Sequence, residues 1–91
     1  FKQGQIYVTV DKSYDHKNLK LICQKLKKEY NEFSNIIICI YLNNKTGYEL
    51  INGKKLNTNS KKQKKSWLVM YSYNSVEGEY YDSNPAGYYG S

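Results

Sequence analysis

The stretch NIIICIYL, residues Asn35–Leu42, decides the fold. It is a continuous apolar run built mostly of isoleucine, and β-branched side chains favour a strand over a helix. A strand with one wet face would alternate apolar with polar residues, and this run does not. The run therefore predicts a strand that is covered on both faces and closed by the turn-forming residues 43–47 (NNKTG). A short buried helix is the alternative that the pattern leaves open.

The residues before this strand predict a β-α-β unit. Residues 5–10 (QIYVTV) alternate apolar with polar side chains, as a half-buried strand does. Residues 15–33 place their apolar side chains in one stripe at helical spacing, from Leu19 to Phe33. A basic amphipathic helix can bind a membrane or a partner, but its position between two strands favours packing on the protein's own sheet. Strand, helix and strand in this order predict two parallel strands.

The second half of the chain predicts two further strands after a polar region. Around Asn52-Gly53 the pattern predicts a small hairpin, with a short helical turn ending at Gly53 as the alternative. Residues 57–66 (NTNSKKQKKS) are poor in apolar side chains and predict a flexible surface loop. Residues 67–73 (WLVMYSY) predict a third strand, with Trp67, Tyr71 and Tyr73 on one face. Residues 79–82 predict a short last strand, and residues 83–91 a tyrosine-rich tail.

These elements predict an α+β domain. A chain of 91 residues fits one domain, so we assign residues 1–91 to a single unit. The expected architecture is one amphipathic helix packed on a mixed sheet of three to five strands, in the order β-α-β-(hairpin)-β-β. No apolar run approaches the roughly 20 residues that cross a bilayer as a helix, so we expect no transmembrane segment.

The charge of the chain is strongly positive and comes from lysine alone. The formal net charge is +6, and all 14 basic residues are Lys, a bias that an AT-rich genome also favours. Lysine cannot copy the bidentate contacts of arginine to phosphate and guanine, so specific reading of a nucleic acid is disfavoured. Nonspecific attraction to polyanions stays open. The residues expected to bind a polyanion or nucleic acid are Lys54, Lys55, Lys61, Lys62, Lys64 and Lys65.

Catalytic and metal-binding patterns have little support in the sequence. His16, the one histidine, lies near the predicted helix start, and no carboxylate or nucleophile is tied to it by spacing. The acids near the end of the chain, such as Glu79 and Asp82, do not have the spacing of a calcium loop. We therefore expect a protein that is not an enzyme, with no cofactor and no bound metal.

The two cysteines leave one question open. Cys23 lies on the apolar stripe of the predicted helix, and Cys39 lies in the central strand. If the helix crosses that strand, the two thiols could face each other and form a disulfide in an oxidising compartment. Two free thiols in the core are the default expectation.

Tyrosine is unusually frequent toward the end of the chain. Tyrosine offers rigid, amphipathic contact area at low entropic cost, which suits binding surfaces, although the rings could also close the second face of the sheet. We therefore favour a non-catalytic interaction or structural domain that binds a protein partner or a second copy through a Trp/Tyr-rich sheet end. The residues expected to bind are Trp67, Tyr71, Tyr73, Tyr80, Tyr81, Tyr88 and Tyr89.

The pattern of strands is similar to that of a group of bacterial domains. A β-α-β opening, the run NIIICIYL, and a later SWLVMYSYN followed by EGEYYD resemble small bacterial α+β domains, some of them carried by exported proteins. The resemblance implies a fold and no functional residues. The chain begins with Phe1 rather than Met. We therefore also expect an exported protein, which would be periplasmic, a lipoprotein or secreted.

Overall fold

The computed structural model describes residues 2–57 and 59–86. These residues form four strands, which build one sheet, and three helices. Their order confirms the α+β class and the β-α-β opening. The elements are β1 (Gln3–Val10), α1 (His16–Glu29), β2 (Asn35–Leu42), α2 (Lys45–Ile51), α3 (Lys61–Ser66), β3 (Trp67–Asn74) and β4 (Gly78–Ser83).

The four strands form one mixed sheet in the order β1-β2-β3-β4. β1 runs parallel to β2, whereas β2 with β3 and β3 with β4 are antiparallel. The predicted central strand is therefore an inner strand with a partner on each side. Its neighbour β3 is the other inner strand, and β1 and β4 form the two edges.

The first core lies between α1 and one face of the sheet. Leu19 and Cys23 of α1 pack with Ile38 of β2 and with Val69 and Tyr71 of β3, and all five side chains are fully buried. Burial of each large apolar side chain contributes about 1.5–3 kcal/mol, so this layer holds α1 on the sheet.

Helix α1 is shorter than predicted at its C-terminal end. The side chain of Asp15 caps its start by accepting a hydrogen bond from the backbone N–H of Asn18 at 2.9 Å. The helix ends at Glu29 rather than at Phe33, because the chain must turn back to begin β2. Phe33 still packs inward, with its ring directly over Gly4 of β1.

The second core lies on the opposite face of the sheet, at the end where β2 finishes and β3 begins. It contains Cys39, Tyr41, Leu50, Trp67 and Ala86. A bulge in β3 produces this arrangement, because Ile40 pairs with Val69 while Tyr41 pairs with Trp67, so that Leu68 has no counterpart in β2. The prediction that Trp67 shares a face with Tyr71 is therefore wrong.

The polar region between β2 and β3 is helical rather than extended. Asn44 caps α2 by accepting a hydrogen bond from the N–H of Gly47 at 2.7 Å, and Asn52-Gly53 ends that helix. Gly53 has a φ of +92°, so the pair supplies a helix stop rather than a hairpin turn. The alternative of a helical turn is the correct one. The predicted loop over residues 57–66 is wrong from Lys61 onward, where α3 forms.

The two cysteines lie on opposite sides of the sheet. Cys23 belongs to the core under α1 and Cys39 to the second core, and both are free and buried. The disulfide alternative is therefore wrong. Within the described residues, no helix has the length and apolar character that spanning a membrane requires. Most of the predicted tail, residues 87–91, lies outside the described part of the chain.

Candidate functional site

The indole of Trp67 is part of the core rather than of a binding surface. Its side chain is only 8% exposed. Its N–H donates a hydrogen bond to the backbone carbonyl of Val69 at 3.1 Å, and its ring stacks on Tyr41 with centroids 5.7 Å apart. The stacked pair closes the second face of the sheet, so Trp67 offers little area to a partner.

Tyr71 is also a core residue, and its hydroxyl is the centre of a small polar network. The side chain is 0% exposed. Its O–H donates to the Oε2 atom of Glu79 at 2.6 Å, and Gln24 donates to the same oxygen at 3.0 Å. These hydrogen bonds lower the pKa of the Glu79 carboxyl, and the one from Tyr71 has the larger effect. Burial, and then the nearby carboxylate, raise the pKa of Tyr71.

Tyr73 and Tyr81 are half-buried, and each has a partner on or beside α1. The ammonium of Lys27 lies 3.8 Å from the centroid of the Tyr73 ring, within the range of a cation–π interaction. The hydroxyl of Tyr81 lies 2.8 Å from Nδ1 of His16, and burial raises the pKa of Tyr81 to about 12. His16 therefore contacts a phenol that stays protonated at neutral pH, which is not the partner that a general base requires.

Tyr80 is the member of the predicted aromatic set that presents its ring to solvent. It is 52% exposed on the sheet face opposite α1. Tyr88 and Tyr89 lie outside the described residues. Among the described members, Trp67 and Tyr71 are thus buried, Tyr73 and Tyr81 are half-buried, and Tyr80 alone is exposed, so the sheet end is not a continuous aromatic surface.

Lysine side chains gather at the end of the sheet where β2 finishes and β3 begins. Helix α2 follows β2 and α3 precedes β3, so both helices lie at this end. One open cleft of about 770 Å³ lies between α3 and the strand ends, a volume typical of small-molecule sites. Its walls are formed by Ser13, Leu42, Lys64, Lys65, Leu68, Ser83 and Asn84.

Three further clefts continue this surface, and neighbouring clefts share lysine walls. Lys65 also borders a second cleft, of about 400 Å³, together with Lys45 and Lys62. The third, of about 250 Å³, shares those two lysines and adds Lys54. The fourth, of about 570 Å³, shares Lys54 and adds Lys55. We call these six side chains the lysine belt: Lys45, Lys54, Lys55, Lys62, Lys64 and Lys65.

The belt carries a concentrated positive charge. Among residues 2–57 and 59–86, the acidic residue in its walls is Glu49, which pairs with Lys54 at 3.3 Å while both side chains stay substantially exposed. Within α3, Lys61 and Lys65 lie one helical turn apart, as do Lys62 and Lys65, so like charges repel along the helix. An open surface of this kind attracts anions over the screening length of about 8–10 Å at physiological salt.

Buried polar side chains hold α3 in place beneath its lysines. Gln63 is 5% exposed and accepts a hydrogen bond from the N–H of Asn57 at 2.7 Å. Its amide donates to the carbonyl of Lys55 at 3.1 Å. Ser66, 2% exposed, lies 3.3 Å from the side-chain nitrogen of Asn44. The buried side of α3 is thus tied to α2 and to the connection between them, and its lysines are left exposed.

Sequence reasoning missed several residues of this surface. The lysine-rich residues 54–65 predict the binding set without Lys45, which is distant from them in sequence. Tyr48, which is 47% exposed, lies one turn further along α2 than Lys45. The signal for α3 was present, since Ser60 and Gln63 have the S-x-x-Q spacing of a capping box. The side chain of Ser60 does accept a hydrogen bond from the Gln63 N–H at 3.2 Å.

The two cysteine thiols are free and buried. Burial raises the pKa of Cys23 to about 12 and that of Cys39 to about 11, which keeps both thiols protonated and unreactive at neutral pH. In the part of the chain that the structure describes, no group of three or more His, Cys, Asp or Glu side chains could hold a metal ion. Comparison of the chain with protein-family models, with curated proteins and with solved structures found no match.

Proposed function

We propose that this protein is a non-catalytic binding domain that holds extended polyanions along the lysine belt. The observation that carries the proposal is the continuity of the belt. Six lysines border four adjoining clefts, and in the described part of the chain their walls include a single carboxylate, that of Glu49. A chain of phosphates laid along these clefts would meet a lysine at each step.

The chemistry of lysine supports binding that does not depend on sequence. An ammonium group is a compact charge on a long stem, and it contacts phosphate without the fixed fork of a guanidinium. Such contacts release counterions, so affinity falls steeply as salt rises. The ligand class that fits is a flexible, single-stranded polyanion.

Tyr48 adds an exposed aromatic ring beside Lys45 of the belt. Its ring is 47% exposed and lies one turn along α2 from Lys45. An exposed aromatic ring next to phosphate-binding lysines can stack on a base, and such stacking contributes about 1–3 kcal/mol per base.

The test is binding of a fluorescein-labelled oligo(dT) single strand, followed by anisotropy over a series of NaCl concentrations. If about four phosphates are neutralised, the logarithm of the association constant falls with the logarithm of salt concentration with a slope of about −3. The double variant Lys62→Gln/Lys65→Gln removes two belt charges and should lower the steepness of that slope by about 1 to 1.5.

A matched control removes the same charge elsewhere. Lys17 and Lys25 are exposed on α1 and are not wall residues of the belt clefts. We expect Lys17→Gln/Lys25→Gln to keep most of the wild-type affinity and slope. Equal losses in the two double variants would show attraction by net charge alone and would contradict the proposal, as would a wild-type affinity that does not change with salt.

A second candidate is protein binding through aromatic side chains, and one observation favours it. Tyr80 is 52% exposed on the sheet face opposite α1, with Met70 half-buried on the same face. Exposed aromatic rings with apolar neighbours are typical of interface centres. Binding of this kind depends weakly on salt and would be lost in Tyr80→Ala, whereas oligo(dT) binding at the belt would not.

A further inference from the structure

Within the described residues, strand β1 pairs with β2 on one side and has no strand on its other side. All eight of its residues pair with β2 in one unbroken register, from Gln3 with Asn35 to Val10 with Leu42, so the strand has no bulge. The backbone carbonyls of Lys2 and Val10 accept hydrogen bonds from β2 and from the residue after it. Backbone direction alternates along a strand, so Gln3, Gln5, Tyr7 and Thr9 turn their N–H and C=O groups outward.

The two edges of the sheet differ in how they are protected. Free edges are normally guarded by charged side chains, proline, bulges or short length, because they template pairing with another chain. The sequence of β1, QGQIYVTV, contains no charge and no proline over eight residues. Strand β4 is shorter, carries Glu79 and Asp82, and is followed by Pro85. The edge at β1 is therefore the one that is open to pairing.

Apolar side chains along β1 are left incompletely covered. Ile6 and Val8 lie on the α1 face but are only partly buried, since the buried residues of α1 pack with β2 and β3. On the other face, Tyr7 is 50% exposed. A strand added beside β1 would cover side chains on both faces as well as satisfying the outward backbone groups.

We propose that the occupant of this edge is β1 of a second copy, paired antiparallel about a two-fold axis at Tyr7. The outward backbone groups of Tyr7 then exchange two hydrogen bonds with those of its counterpart, and Gln5 meets Thr9. In the same register, Ile6 of each copy lies opposite Val8 of the other copy on the α1 face. The strand is thus complementary to itself, which an isologous interface requires. The product is one continuous eight-stranded sheet.

The charge distribution favours this antiparallel arrangement. Each copy has a formal charge of +6, and the lysine belt lies at the end of the sheet where β2 finishes. Because β1 runs parallel to β2, antiparallel pairing of the two β1 strands places the belts at opposite ends of the dimer. A parallel pair would bring them side by side, where they repel.

The experiment is sedimentation velocity at physiological ionic strength, from low to high micromolar protein. The wild-type protein should pass from monomer to dimer. Tyr7→Lys places two like charges directly across the axis, and so does Tyr7→Glu, so each variant alone should raise the dimer dissociation constant at least about tenfold. An equimolar mixture of the two variants should recover a dimer, because the axis then joins lysine to glutamate.

Tyr80→Lys is the matched control, because Tyr80 is a tyrosine of nearly equal exposure, 52%, on the opposite edge strand. It should dimerise like the wild type, and circular dichroism should show that all variants are folded. A wild-type protein that stays monomeric at high micromolar concentration overturns the proposal. A mixture of the two Tyr7 variants that stays monomeric overturns it as well. So does a Tyr80→Lys variant that dimerises as poorly as Tyr7→Lys. The edge and the belt share no residue, so failure here leaves the oligo(dT) result unaffected.

Discussion

At the scale of the residue, Gly47 sets the position of α2. A Cβ atom at this position would overlap the backbone carbonyl oxygen of Leu42, a group that cannot swing aside. We therefore expect Gly47→Ala to lower the free energy of unfolding by about 1–3 kcal/mol, even though alanine is the better helix former. Chemical denaturation measures the loss.

Gly53 supplies the comparison for Gly47. Its φ is +92°, a conformation that asparagine tolerates, and a Cβ there meets open space. Gly53→Asn should cost under about 1 kcal/mol. If the two variants lose equal stability, the close approach of α2 to Leu42 does not decide the position of the helix.

Glu79 makes stability depend on pH at the acid end. Its folded pKa lies below the ordinary value of 4.5, mainly because Tyr71 and Gln24 donate hydrogen bonds to the carboxylate. The stabilisation is present above pH 4.5 and is lost as the pH falls through the lowered pKa. The difference in unfolding free energy between wild type and Glu79→Gln should therefore shrink as the pH is lowered from 6 toward 3. A difference that is constant with pH would contradict this account.

Trp67 shows where alternation along a strand fails to predict the face on which a side chain lies. Alternation places Val69 and Tyr71 correctly on the α1 face, and it places Trp67 on the same face, which is wrong. Leu68 is an extra residue in the pairing with β2, and it shifts every residue before it by one position. Nothing in the letters WLVMYSY marks the bulge, because it depends on packing of Trp67 against Tyr41 across the sheet.

At the scale of the element, α3 depends on Gln63. A helix of six residues with four lysines is unstable alone, since nucleation is costly and its charges repel. The buried amide of Gln63 offsets this by bonding to Asn57 and Lys55. Gln63→Ala leaves both backbone partners unsatisfied and should cost about 1–3 kcal/mol, with faster amide hydrogen exchange in α3.

Lys64→Ala is the control for that variant. Lys64 is exposed on the same helix, so its replacement should change stability by less than about 0.5 kcal/mol. Protection of α3 that is unaffected by Gln63→Ala would mean that other contacts hold the helix.

Composition gives the wrong structure for the segment that contains α3. Residues 57–66 lack the apolar side chains that normally mark a packed helix, so their composition predicts a loop. The fold instead anchors α3 through two polar side chains, Gln63 and Ser66, which a scale of hydrophobicity cannot identify. By contrast, α1 and the inner strands were predictable because an apolar stripe or run marks each of them.

At the scale of the whole molecule, the candidate site is less predictable than the sheet. The lysines of the belt come from α2, from the connection that follows it, and from α3, and only the fold brings Lys45 next to Lys62 and Lys65. The burial of Trp67 and Tyr71 likewise follows from their places in the sheet, which the sequence does not mark. Fold class follows from local pattern, whereas a surface depends on which sides of several elements meet.

The most direct test of the central claim, that a polyanion binds along the lysine belt, is an NMR titration of ¹⁵N-labelled protein with unlabelled oligo(dT). Binding along the belt should change the amide shifts of α2, of the connection after it and of α3, including those of Lys45, Lys54, Lys62 and Lys65. The amides of α1, which carries five lysines of its own, should stay nearly unchanged. Shift changes centred on α1, or spread evenly over all lysines, would contradict the claim.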